Sequence, residues 1–391
     1  MSKKTAFTII LKEFNRQVAI CNQVSPKKSE VSLFTYSKLE FTSTEVTLTS
    51  TNGNLFYSNS IPVSTDLIDQ NLSFLVKTDA LANITALLGD DKIILEVDLE
   101  NSNLTLLGNK SKHLLRITTE NLAQYTNVVP SSDKLQAKFQ VSGSSLIEAN
   151  RAAAIAIGKH ITQPELLNVC YSLDIAKQEL GLVSTDRFRI IKTIFAIENP
   201  VTAVDFDTTG ITNFLLNPKS LQILNSAADE KANITINFES DLAFFEFGAS
   251  VLAMRYGEGK YIEYAKIIPQ SFGCSFTASV SEFLSGIKQV NWCVRNDINK
   301  SLLLSFTPNT KTLTLSTKNI DGDTAQCKVS LDSWEGSSEE WSQSFNGDYL
   351  SDYLGLLKTS TFLWESNPGK PAVLSPLNEK TKQFYLVSGF K

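Results

Sequence analysis

The chain carries few residues whose types and spacing could do acid, base, nucleophilic or metal chemistry together. Its two histidines, His113 and His160, have no partner at catalytic or ligand spacing, so neither a histidine triad nor a metal cluster is expected. The five cysteines are Cys21, Cys170, Cys274, Cys293 and Cys327. They are odd in number, widely spaced and free of any CxxC pair, so they read as buried free thiols. Tyr256-Gly257-Glu258-Gly259-Lys260 has part of a phosphate loop's pattern. Such a loop would also need glycine where Met254 stands and Ser or Thr where Tyr261 stands, so the run reads as a hairpin turn. Asp321-Gly322-Asp323 is too short for a calcium loop and lacks its final glutamate. Carboxylates never pair at a recurring place, which leaves a glycosidase-type site without support. The sequence therefore predicts no catalytic residue, no metal and no cofactor.

The chemistry that does recur is that of separated cations. Lys12, Arg16, Arg151, Lys159, Lys219, Lys288, Arg295 and Lys358 fall on the polar sides of helix-patterned segments or just after them. Dispersed Lys and Arg suit sequence-blind contact with phosphates. The whole chain is nevertheless acidic, with a net charge of −5. A protein that grips DNA by its global charge is usually basic, so a phosphate path here must be local.

The elements that would carry these cations repeat. Leu180–Ile191 reads LGLVSTDRFRII, and weaker versions stand at Val46–Asn52 and Leu313–Asn319. Thr51, Thr185 and Thr317 stand at near-equal intervals, each close to one third of the chain. A repeat at that interval tiles the chain three times. The expected copies are residues 1–128, 137–269 and 274–391. Within each copy, one strand, one helix and three strands occur twice. Helical periodicity marks residues 11–22, with Leu11, Phe14, Val18 and Cys21 as the buried stripe. Further helices are expected at 78–88, capped by Thr78 and burying Leu87 and Leu88, and at 145–158. Three more are expected from Pro218 through Ala227, at 281–292 and at 348–358. The fold class is α+β, three domains of two β-α-βββ half-repeats each.

Paired halves place two helices on one side and antiparallel sheets on the other. Three such domains in a row form an arc whose end strands are exposed edges, and a twofold dimer would close it. The cation-bearing helices would then line a hole. Hydrophobic residues make up 42% of the chain and charged ones 20%, as in ordinary globular proteins. No apolar run approaches the roughly 20 residues that span a bilayer, and MSKKTAFTIILKEF lacks a signal-peptide core, so a cytoplasmic protein without a membrane partner is expected.

Four segments resemble the bacterial sliding-clamp family, the beta subunit of DNA polymerase III. They are Thr185-Asp186-Arg187-Phe188-Arg189-Ile190, the run from Glu258 to Pro269, Leu167-Asn168, and the tail Tyr385-Leu386-Val387-Ser388-Gly389-Phe390-Lys391. Arg187-Phe188 stands where the family has Gly-His, and Ser388-Gly389-Phe390 where it has Met-Pro-Met. The resemblance implies a homodimeric ring around double-stranded DNA that tethers a replicative polymerase, a clamp loader and other clamp-binding-motif proteins. It implies a peptide groove formed by Leu167, Thr185, Arg189, Ile190, Pro269, Val373, Leu386, Val387 and Phe390. It also implies a protomer contact joining Trp292 and Cys293 to His113 and Leu115. Aspartate at Leu386 or Val387 is expected to abolish peptide binding and leave the oligomer intact. The alternative is a clamp-like scaffold that does not encircle DNA.

Overall fold

The computed structural model describes residues 4–65, 71–125, 129–159, 162–199, 201–203, 211–306, 310–336, 340–377 and 382–390. In six places a strand runs into a helix with at most one residue between. Thr5–Ile10 leads into α1 (Leu11–Val24), Leu72–Lys77 into α2 (Thr78–Leu87), and Leu135–Ser142 into α3 (Gly143–Ala153). Ile211–Leu216 leads into α4 (Pro218–Ala227), Cys274–Ser279 into α5 (Val280–Asn291), and Trp341–Asn346 into α6 (Gly347–Leu354). Three longer strands follow each helix, so the β-α-βββ unit recurs six times.

The stripe expected on α1 is observed: Leu11, Phe14, Val18 and Cys21 are all buried. Burying each such side chain is worth about 1.5–3 kcal/mol. The helices α5 and α6 are capped by their own sequence. Ser279 accepts from the Glu282 amide at the start of α5, and Asn346 accepts from the Asp348 and Tyr349 amides at the start of α6.

Other expectations need correction. Thr78 is the first helical residue and not a cap; it is buried, with its hydroxyl 2.8 Å from that of Ser37. Leu87 is 80% exposed because α2 ends there and the chain turns extended at Leu88. The third helix stops at Ala153, where a 3-10 turn begins, and the Gly158 amide is held instead by the Leu166 carbonyl. The sixth stops at Leu354 and does not reach Lys358. His160 lies outside the described residues.

Backbone contacts divide the chain into two compact units. The first comprises Met1–Ser144, Ile197–Thr208 and Lys219–Tyr256. Its thirteen-stranded antiparallel sheet runs from Thr5–Ile10 at one edge to Thr202–Ala203 at the other. Within it, Leu55–Pro62 of the first copy pairs with Ser250–Arg255 of the second, Tyr57 opposite Leu252. The second unit comprises Ser145–Ala196, Thr209–Pro218 and Gly257–Lys391. It holds a nine-stranded sheet, in which Arg189–Ala196 pairs with Lys382–Val387, and a four-stranded sheet. The division cuts the middle copy because its strands are shared between two large sheets.

Candidate functional site: an apolar sheet face and two open strand edges

Side chains alternate across a strand, so the register of the nine-stranded sheet fixes which residues can share a surface. Ile190 lies opposite Leu386, and Val373 lies opposite Leu386 on its other side. These three join Leu166, Cys170, Val183, Leu215 and Tyr261 in one apolar cluster. Ile262, Tyr264, Ile268 and Phe272, from the segment that follows the second copy, pack partly buried against it, as does Phe384. Burial pushes the Cys170 thiol up to about 12, so it stays protonated at neutral pH.

The same alternation corrects two expected groove residues. Val387 is 0% exposed and belongs to the opposite core, with Ile191, Trp364 and Tyr385. Arg189 also leaves the apolar face. Its Nε bonds Asp186 Oδ2 at 2.9 Å, its Nη1 bonds Asp352 Oδ2 at 2.8 Å, and its guanidinium carbon lies 4.0 Å from the centre of the Tyr349 ring. A buried guanidinium so paired is a fastener between a strand end and α6.

The remaining expected groove residues are not members of this cluster. Thr185 is buried, two residues beyond Val183 on its strand, and its hydroxyl accepts from the Arg187 amide at 3.1 Å. Leu167 and Pro269 are half-buried next to the cluster members Leu166 and Ile268. Phe390 is half-buried, and its amide donates to the Ser344 carbonyl at 2.8 Å. Sequence reading missed Leu166, Cys170, Val183, Leu215 and Tyr261. Counting back by two from Thr185 would have found Val183; the others depend on strand neighbours that no local pattern names.

Lys112–Thr118 and Thr324–Ser330 are among the strands that present an open edge over most of their length. Lys112–Thr118 pairs with Asn103–Leu107 on one side, but on the other it meets a neighbour only at Ile117 and Thr118. Thr324–Ser330 ends the four-stranded sheet. The Gly108 amide bonds the Ser111 carbonyl, and the Ile117 amide bonds the Ser102 carbonyl. In an antiparallel ladder this makes 113 and 115 the inward-bonded positions, so the amides of Lys112, Leu114 and Arg116 point outward. The bonds Asn319 N to Asp323 O and Leu331 N to Lys311 O likewise leave the amides of Thr324, Gln326 and Lys328 pointing outward. His113 and Leu115 are half-buried on the first of these strands, while Leu114 is 53% exposed. Trp292 is 60% exposed, whereas Cys293 is buried with its thiol on the Asp323 carbonyl at 3.1 Å. Cys293 is thus a buried free thiol, as expected of the cysteines, and lies behind the edge-strand hairpin.

All eight expected cations are exposed. Lys12, Arg16, Arg151, Lys219 and Lys288 sit on helices, while Lys159, Arg295 and Lys358 lie in the segments after them. Arg16 is engaged: its Nη2 donates to the carbonyl of Ala227, the last residue of α4, at 2.9 Å. Lys358 is paired with Glu148. The Lys358 pair is solvent-exposed and therefore weak, whereas the Arg16 bond is part-buried. No group of three or more metal-ligating side chains occurs among the described residues. No helix among them is long and apolar enough to cross a membrane.

No protein-family model matches the chain. It is 27% identical over 255 residues to the beta sliding clamp of Synechococcus elongatus, which covers 64% of this chain and 65% of that protein. It is 22% identical over 321 residues to the beta sliding clamp of Helicobacter pylori, covering 81% of this chain and 80% of that one. Among solved structures, the beta subunit of the Streptococcus pyogenes DNA polymerase matches with a TM-score of 0.86 at 20% identity, over 99% of this chain and 100% of that one. The DNA polymerase sliding clamp of Bacillus subtilis matches with a TM-score of 0.85 at 18% identity over the whole of both chains. The fold is that of the DNA polymerase sliding clamps. In sequence the chain is similar to the bacterial beta clamps, at 22% and 27% identity to these two.

Proposed function

We propose that the chain is a DNA sliding clamp, a non-catalytic processivity factor that encircles duplex DNA as a homodimer in the cytoplasm. The observation that carries this reading is the sixfold β-α-βββ repeat on a fold that matches clamps from end to end. Two copies close the ring when the outward N–H and C=O groups of Lys112, Leu114 and Arg116 in one protomer bond the outward C=O and N–H groups of Thr324, Gln326 and Lys328 in the other. Edge-to-edge pairing of this kind removes both open edges at once. Leu114 on the first strand, and Trp292 just after α5, supply exposed apolar surface. The three copies, 1–128, 137–269 and 274–391, act as the domains of each half-ring.

Lys12, Arg16, Arg151, Lys159, Lys219, Lys288, Arg295 and Lys358 meet the phosphates weakly, which is what free sliding needs, because tight base readout would stall it. The cluster around Ile190, Val373 and Leu386, with Thr185, Leu167, Pro269 and Phe390 on its rim, receives a short linear peptide from a polymerase, a clamp loader or another partner. An extended peptide with apolar side chains suits this mostly apolar face.

The test is topological. After loading onto a nicked circular plasmid by the clamp loader of the source organism, the protein is expected to co-elute with the circle. It is expected to be lost when the circle is cut once. Equal retention on circular and linear DNA, or retention on neither, would overturn the ring and leave the scaffold reading.

A further inference from the structure

We propose that Arg187 selects partner peptides that carry a carboxylate beside their apolar anchor. This rests on the groove reading above and adds a charge preference to it. The loop 186–188 stands at the end of the apolar face, since Ile190 lies opposite Leu386 and the Ser388 amide donates to the Phe188 carbonyl at 2.9 Å. Arg187 has φ +79°, a left-handed conformation that glycine adopts far more readily than a side chain does. The loop holds it there. Thr185 Oγ1 accepts from the Arg187 amide, and Asp186 Oδ1 accepts from the amides of Phe188 and Arg189 at 3.0 and 3.1 Å. A costly backbone conformation is thus kept at a position where it displays a charged side chain.

The neighbouring charges are occupied. Asp186 is bound by Arg189, Lys382 by Glu179 and Lys266 by Glu263, and the Lys192 ammonium lies 5.1 Å from the centre of the Tyr264 ring. Arg187 is exposed and has no ion pair among the described residues. Phe188, beside it, is 55% exposed. An exposed guanidinium on the loop at the end of the apolar face, one residue from an exposed aromatic, suits a peptide that presents a carboxylate next to a large apolar side chain.

Two ten-residue fluorescent peptides test this on the full-length protein, identical except for aspartates or asparagines flanking a central Leu-Phe pair. An exposed charge pair predicts tighter binding of the aspartate peptide by about fivefold at low salt, with the gap closing in 0.5 M salt. Arg187→Gln and Arg187→Gly are expected to erase the preference while retaining affinity for the asparagine peptide. Glycine suits the backbone there, so that variant keeps the loop. Equal binding of both peptides by the parent, or a preference that survives in both variants, overturns this inference alone. Binding of neither peptide by the parent overturns the groove reading and this inference with it.

Discussion

Replacing Gln326 by proline is expected to halve the mass in solution, from twice 43.2 kDa to 43.2 kDa, at micromolar protein. The residue sits in the middle of the open edge, and its amide points away from the sheet, as the ladder phase set by Asn319–Asp323 and Leu331–Lys311 requires. Proline deletes that one donor and fills the space a second strand would occupy, yet it breaks no bond to the neighbouring strand Thr312–Lys318. Edge strands are where proline is tolerated, so the protomer should stay folded. Light scattering across a dilution series reads the mass, and far-ultraviolet circular dichroism controls for the fold. Proline at Ala325, whose amide points inward, should damage the hairpin itself and lower the melting temperature. A Gln326→Pro protein that remains dimeric down to nanomolar concentration would show that this edge does not close the ring. Loss of the dimer should carry retention on circular plasmid down with it.

The second large effect is at Val387. Aspartate there places a carboxylate in the core that contains Ile191, Trp364 and Tyr385, directly across the ladder from Arg189, whose guanidinium is already bound by Asp186 and Asp352. A third carboxylate competing for that one guanidinium is buried without full compensation and costs about 4 kcal/mol. For a unit of this size that is a drop in melting temperature of about 10 °C. Thermal unfolding followed by tryptophan fluorescence reads it directly, since Trp364 is fully buried in the same core. Phe188→Asp, on the exposed loop, should leave the melt within about 1 °C. A Val387→Asp protein that melts with the parent but fails to bind peptide would restore Val387 to the groove and refute the face assignment.

That contrast shows how much was legible in the sequence. The β-α-βββ unit was readable because Leu11, Phe14, Val18 and Cys21 keep a helical period, and because a Ser-Thr pair returns in each third of the chain. Helix ends were less readable. Gly158 and Lys358 continue a plausible helical pattern, but tertiary bonds, such as Gly158 to Leu166, take the chain elsewhere. The resemblance to the clamps placed Arg189 and Ile190 in one groove, although consecutive strand residues face opposite sides. Register decides between them, and register depends on the pairing of Arg189–Ala196 with Lys382–Val387, a strand from the far end of the chain. The open edges were equally hidden. His113 and Leu115 lie on an open-edged strand, but the outward amides belong to Lys112, Leu114 and Arg116, and only the ladder phase distinguishes them.

The thirteen-stranded sheet also has a consequence for synthesis. Strand Leu55–Pro62 finds its outer partner in Ser250–Arg255, which is made only after the rest of the first copy and most of the second. At about 5–20 residues per second, a ribosome needs roughly 10–40 s to deliver that partner. For that interval the first copy has a bare strand edge that could pair with another nascent chain. Contacts this distant in sequence also slow refolding from denaturant. The nascent first copy is therefore the stage at which this chain is most exposed to misassembly, and the stage at which a chaperone would shield it most usefully.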